Sequence, residues 1–355
     1  MAAQASPAGP SHAPKPRSAA GNAPDSRSRC DSLCSANHNQ RSGVTVLRAL
    51  LLINQHSRQG EADAETAANH LTDLDVDVTR GDFSAPDELP DEIRERGRDF
   101  DVIVLGGGDG TLNLAAKAVA DIRMPMAVLP LGTANDFART LMIPNDLAAA
   151  CRNVVEGLDY GIDLGQCNDV YFLNVASIGL AVRACEYRSD AAKKWLGALG
   201  YISNVYAAFR DTKPFGADVV CRGESHRLHS IQIAVGNGRY FGGGLAVSSD
   251  AALDDGTLDL YSLKPQRPGA LLRMLPSLVR GPDKSIQGVQ LLESEAFEIT
   301  TDRVMQINTD GEIMTETPAT FRVLPGALTV KVPQAYVEQY GHTNRRRPVD
   351  GDRAR

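Results

Sequence analysis

Val102-Ile103-Val104-Leu105-Gly106-Gly107-Gly108-Asp109-Gly110-Thr111-Leu112-Asn113 is the stretch that decides the fold. After Asp101 the run is apolar and unbroken to Leu105, the pattern of a strand buried on both faces. From 112 to 120 the apolar residues recur at helical spacing. The glycines between strand and helix let backbone N–H groups approach a phosphate with no Cβ in the way, and the helix presents its positive end there. The loop lacks both the Gly-Lys-Ser/Thr ending of a Walker loop and the Gly-x-Gly-x-x-Gly of a dinucleotide fold. A carboxylate at Asp109 would repel an anion unless it binds ribose hydroxyls, a bridging cation or loop amides.

The same alternation continues on both sides. Residues 44–54 predict a strand, 61–74 a helix with Ala64, Ala67, Ala68 and Leu71 inward, 76–79 a strand, 91–97 a helix, 126–129 a strand, and a further helix starts at about Asn135. Strands alternating with helices imply a parallel sheet, so the first domain is α/β. After about Asp163 the segments 170–175, 230–236, 257–263, 296–301 and 304–309 read as short strands separated by turn residues, a mainly β sandwich second domain. Helical inserts at 191–209 and 269–279 interrupt it. The expected organisation is a disordered tail over 1–42, an α/β domain over 43–165, a β-rich domain over 166–318 and a disordered basic tail over 341–355, with the last strand signals, 319–324 and 327–332, rejoining either domain.

At 355 residues two domains are the natural expectation. With 37 basic and 44 acidic side chains the net charge of −7 argues against nucleic acid as a partner, because neutralising phosphates takes clustered Lys and Arg. No apolar run reaches the roughly 20 residues that cross a bilayer. Cys30, Cys34, Cys151, Cys167, Cys185 and Cys221 are scattered, which fits a reducing cytoplasm, and Cys30 with Cys34 lacks the second pair a zinc site needs. His226 and His229, flanked by Arg222, Glu224 and Arg227, read as a solvated hairpin. Trp195, Leu199, Ile202, Tyr206 and Phe209 form a core stripe. Leu271, Leu272, Leu275 and Leu278, with Arg273, Arg280 and Lys284, make a basic amphipathic helix of the kind that lies on a bilayer.

A second motif, Pro130-Leu131-Gly132-Thr133-Ala134-Asn135-Asp136-Phe137-Ala138-Arg139, follows the next strand and should share a crevice with the first. Together the two motifs resemble the diacylglycerol kinase catalytic-domain family, particularly its soluble bacterial members, which are related to the sphingosine kinases. Further support lies in Asn174-Val175-Ala176-Ser177-Ile178-Gly179, Gly236-Asn237-Gly238, Leu253-Asp254-Asp255-Gly256-Thr257-Leu258-Asp259 and Asp310-Gly311-Glu312. The resemblance covers about 44–332.

The resemblance implies an ATP-dependent lipid kinase that phosphorylates a lipid hydroxyl, diacylglycerol first, with sphingoid or other lipids as alternatives. An NAD kinase, which shares the glycine loop alone, and an inactive lipid-sensing domain are the rival expectations. It implies ATP held by Gly107, Gly108, Asp109, Gly110, Thr111, Asn113 and Thr133, helped by Asn54, Ser57 and Thr79. It implies Mg²⁺ held by Asp255 with carbonyls at Ala252 and Thr257, and a catalytic base in Asp310 or Glu312, with Asp310 preferred. It also implies that the first domain, 43–165, binds the nucleotide and is completed by strands at about 319–335, that 166–318 is the lipid-acceptor domain, and that the protein is cytoplasmic with transient peripheral membrane contact, with room for a homodimer. Two departures stand out: Asn54-Gln55-His56-Ser57-Arg58 lacks the family's proline and has Arg58 in the glycine place, and Ser249-Asp250-Ala251 replaces its Pro-x-Ala.

Overall fold

The computed structural model describes residues 46–53, 60–83, 85–186, 212–238, 240–241, 245–246, 253–265 and 288–341. The expected helices over 191–209 and 269–279, with the Leu271 to Lys284 face, lie outside them, as do 1–45, 342–355, Asn54, Ser57 and Ala252.

Through the first domain β1 (Leu47–Ile53), α1 (Gly60–Thr72), β2 (Val76–Arg80), α2 (Leu89–Arg96), β3 (Val102–Gly107), α3 (Asp109–Ile122) and β4 (Met126–Pro130) alternate. β1 lies between β2 and β3, and β3 pairs with β4, all in parallel register. The apolar runs of β1, β3 and β4 are buried, and one core joins them to Ala67 and Leu71 of α1, Ile93 of α2 and Ala115, Ala116 and Val119 of α3. α4 (Asp136–Thr140) is little more than one turn, and α5 (Leu147–Glu156) adds Ala150 and Val154 to that core.

The chain then enters β5 (Leu158–Cys167), β6 (Val170–Phe172), β7 (Val175–Gly179), α6 (Leu180–Glu186), β8 (Phe215–Cys221), β9 (Glu224–Ser230), β10 (Gln232–Gly236), β11 (Tyr240–Phe241), β12 (Leu245–Ala246) and β13 (Leu258–Leu263). β14 (Val289–Ser294), β15 (Ala296–Thr301), β16 (Gln306–Thr309), β17 (Glu312–Glu316), β18 (Ala319–Val332) and α7 (Gln334–Tyr340) complete it. One sheet runs β2-β1-β3-β4-β18-β15-β8-β9, with β5 on β18 and β6 on β5, and a second runs β14-β13-β10-β7-β16-β17. Phe215, Phe297 and Phe321 of the long sheet and Ile178, Ile233 and Leu260 of the other share one core, which makes the second lobe a sandwich. β18 ties the lobes together: Val330 pairs with Met126 of β4 in parallel, while Phe321 to Val332 pair antiparallel with β5.

The structure departs from the expected elements in instructive places. The strand expected over 170–175 is two strands, because the N–H groups of Leu173, Asn174 and Val175 turn to the Asp310 carboxylate instead of a ladder. The two strands expected over 319–324 and 327–332 are one, interrupted between Leu324 and Leu328 by a bulge around Gly326 at φ +59°. β5 was not foreseen: Leu-Asp-Tyr-Gly-Ile-Asp-Leu-Gly carries two aspartates and two glycines, and only its pairing on β18 makes it a strand.

Candidate functional site

Because β3 and β4 are neighbours running in the same direction, their C-terminal loops meet. The meeting is backbone on backbone. A Cβ built on Gly132 would fall 2.4 Å from the Gly108 Cα and 2.7 Å from Asn135 Oδ1. Asn135, in the left-handed region at φ 51°, knots its loop by accepting from the Gly132 N–H at 2.9 Å and donating to the carbonyls of Gly132 and Pro130 at 3.0 and 3.2 Å. Gly132→Ala is therefore expected to push the loops apart, costing about 1–3 kcal/mol of stability and at least a tenfold loss of ATP affinity. Thermal melting and calorimetry check this, and a parent-like ATP affinity would mean that the contact does not shape the site.

Asp109 solves its electrostatic problem in one of the ways open to it. Its carboxylate accepts the N–H groups of Phe137 at 2.9 Å and Asp136 at 3.2 Å, capping α4 across the gap between the motifs. Asp109 thus clamps the two loops together. Asp109→Ala is expected to cost about 1–2 kcal/mol in stability and to weaken ATP binding together with it. Loss of binding with an unchanged melting temperature would mean that the carboxylate meets the nucleotide directly.

The first turn of α3 keeps the N–H groups of Asp109, Gly110 and Thr111 outside the helix ladder, which begins with the Leu112 N–H bonding to the Gly108 carbonyl at 3.1 Å. The Thr111 side chain lies over Gly107, where a Cβ would meet it at 2.6 Å. Thr133 is exposed on the second loop. Thr79 does not join this cluster: it pairs with Leu50, which pairs with Ile103, so it lies two strands over and three residues down from Gly106.

Asp310 and Glu312 come from the β16–β17 turn of the second lobe and reach the same place by different geometry. Asp310 stands at φ 49°, and its carboxylate accepts from Leu173 N–H at 2.6 Å, Asn174 N–H at 3.0 Å and Val175 N–H at 2.9 Å. Asn113 of α3, with its amide nitrogen turned inward, donates to Asp310 Oδ2 and to the Tyr171 carbonyl, both at 3.2 Å. All four acceptor positions of the carboxylate are then filled. Burial pushes the Asp310 pKa up to about 6, the three N–H groups pull it down, and the negative charge of Asp109 pushes it up again. Glu312 is exposed, and a Cβ built on Gly110 would lie 3.6 Å from its Oε1, so this carboxylate hangs over the first turn of α3.

The acidic turn at 253–257 is held by β5. Asp163 accepts from Gly256 N–H at 2.7 Å and from Gly326 N–H at 2.8 Å, while the Tyr160 hydroxyl donates to Asp254. Asp255 is exposed, and its Oδ1 accepts both the N–H and the hydroxyl of Thr257, at 2.9 and 2.8 Å. Among the described residues no three His, Cys, Asp or Glu side chains cluster to hold a metal. The exposed Asp255 carboxylate is nevertheless a hard oxygen donor of the kind that suits Mg²⁺, which keeps most of its waters. Asp163 and Tyr160 were not foreseen as supports of this turn, since the residues they hold are some 90 positions away in the chain.

Residues 48–167 match the diacylglycerol kinase catalytic domain, and residues 174–332 match the YegS C-terminal NAD kinase beta sandwich-like domain. A Klebsiella pneumoniae protein named "Probable lipid kinase YegS-like" is 32% identical over 299 residues, covering 82% of this chain and 98% of its own. The Bacillus subtilis protein named "Diacylglycerol kinase" is 30% identical over 245 residues, covering 68% of this chain and 81% of its own. A crystal structure of a diacylglycerol kinase from Bacillus anthracis has the same fold, with a TM-score of 0.66 over 83% of this chain and all of that one at 22% identity.

Proposed function

The chain belongs to the diacylglycerol kinase catalytic-domain family of lipid kinases, and on that premise we propose that it transfers the γ-phosphoryl group of ATP to the hydroxyl of diacylglycerol, giving phosphatidic acid. The observation that carries this reading is the exposed Glu312 carboxylate above the open first turn of α3. A phosphate bound at the N–H groups of Gly110 and Thr111 would lie beside a base supplied by the other lobe.

In this mechanism Gly107, Gly108, Gly110 and Thr111 cradle the phosphates, and Asp109, Asn135 and Gly132 keep the second loop, with Thr133, against them. The lipid hydroxyl oxygen attacks the γ-phosphorus, the bond to the β-bridging oxygen breaks and ADP leaves. The hydroxyl proton passes to a Glu312 carboxylate oxygen. Because the transition state of phosphoryl transfer is loose, the carboxylate mainly orients the hydroxyl and takes its proton late. Asp310 holds the β16–β17 turn and Asn113 in place, a positioning role, since its own oxygens are occupied by donors. Asp255 and the carbonyl of Thr257 would hold Mg²⁺, with a further carbonyl expected at Ala252, and the ion would contribute a fixed positive charge that braces the acidic turn. Among the described residues no helix is long and apolar enough to cross a membrane, so the acceptor is expected to be met by transient contact with the bilayer surface.

Radiolabelled ATP offered with diacylglycerol, sphingosine, ceramide and NAD tests the reading. Label is expected in phosphatidic acid. Label accumulating in a sphingoid lipid would replace the acceptor, and label in NAD alone would overturn the lipid reading.

A further inference from the structure

Beyond the phosphate loop, a groove of about 490 Å³ opens between the C-terminal half of α3 and the bulge of β18. Its volume is that of a small-molecule site. At 1.5 Å per residue along α3, its near end at Lys117 is roughly 12 Å and its far end at Arg123 roughly 21 Å from Asp109, and none of residues 107–113 lines it. The bulge makes the concavity: where β18 leaves its register between Leu324 and Leu328, Leu324 and Ala327 form an apolar floor with Leu164 of β5.

The rim is cationic. Lys117 and Arg123 line it against one carboxylate, Asp121. Asp121 is already engaged by Lys117 at 2.8 Å and approached by Arg94 at 3.8 Å. The Arg123 guanidinium is exposed and has no ion-pair partner among the described residues. An anion entering the groove therefore finds an unspent positive charge at its mouth and apolar surface beneath. We propose that this groove is a second binding site, separate from the phosphate loop, for a small amphiphile that carries a phosphate group.

Two contacts connect the groove to the catalytic parts. Lys117 lies over the Tyr171 ring at 5.1 Å, and the Tyr171 carbonyl meets Asn113, which also reaches Asp310. On the opposite wall the Gly326 N–H bonds to Asp163, whose other oxygen holds the Gly256 N–H in the acidic turn. An occupant touching α3 and β18 at once resists any shift of one against the other, and both ends of that shift lead to the site.

Calorimetry on the full chain with the nucleotide site saturated by a non-hydrolysable ATP analogue tests the proposal, using n-octyl phosphate and inorganic phosphate as probes. One equivalent of octyl phosphate is expected to bind, at least tenfold more tightly than inorganic phosphate. Arg123→Glu is expected to weaken octyl phosphate at least tenfold and Arg123→Gln by less, with the affinity for the ATP analogue changed by under twofold in both. Unchanged octyl phosphate binding in Arg123→Glu would overturn the site. Equal affinity for the two probes would overturn the amphiphile, and a parallel loss of analogue binding would merge the groove with the nucleotide site.

Discussion

Glu312→Gln is expected to lower kcat by about 10²- to 10⁴-fold, the range that loss of a general base typically costs, with ATP affinity and melting temperature close to those of the parent. The side chain is exposed at the first position of β17, so the substitution removes no packing and leaves no buried group unpaired. Glutamine keeps the length and the dipole but cannot take a proton from the acceptor hydroxyl. Steady-state kinetics at saturating ATP, with product quantified by radiolabel, decide the matter. Turnover within threefold of the parent would remove Glu312 from the proton path.

Asp310→Asn is expected to behave differently, lowering stability and turnover together. An amide in place of the carboxylate can still accept from Asn174 and Val175 through its oxygen, but its NH₂ group faces the Leu173 N–H, leaving a buried donor unpaired and removing the charge that strengthened all three bonds. A cost of about 3 kcal/mol follows, or roughly 4–5 °C in melting temperature for a chain of this size. kcat is expected to fall as the β16–β17 turn and Asn113 lose their anchor, and Glu312 with them. The pH dependence carries the same signature. Because burial holds the folded-state pKa at about 6, above the usual carboxylate value, the folded parent binds this proton more readily than the unfolded chain. This group therefore lends the parent relative stability as pH falls from above 6 towards 4, a component absent from Asp310→Asn. A melting temperature within 1 °C of the parent, combined with collapsed kcat, would return Asp310 to the role of base.

Much of the site was legible in one dimension because its parts are local. A glycine cluster between a buried strand and a helix dictates an exposed ring of N–H groups wherever it occurs, and the second motif one strand later was bound to land beside it by the handedness of parallel connections. The α/β character of the first lobe and the mainly β character of the second were likewise written in the periodicity, and the family match follows from the motifs and their order.

What the tertiary structure decided was the division of labour among groups that look alike in the sequence. Asp109 sits inside a phosphate loop and caps a helix 27 residues on, and Asp310 sits in the same short motif as Glu312 and spends its oxygens on the turn between β6 and β7. Gly132 has no room for a Cβ because another glycine's Cα lies 2.4 Å from where it would stand. Asp163, without a motif of its own, binds the acidic turn to the bulge of β18. A carboxylate's hydrogen-bonding capacity is a local property, but the donors that fill it come from wherever the chain returns. Residue type and spacing therefore determined where the candidate site lies, and only the packing of β3 on β4, β5 on β18 and the β16–β17 turn on α3 decided which of its carboxylates remain exposed.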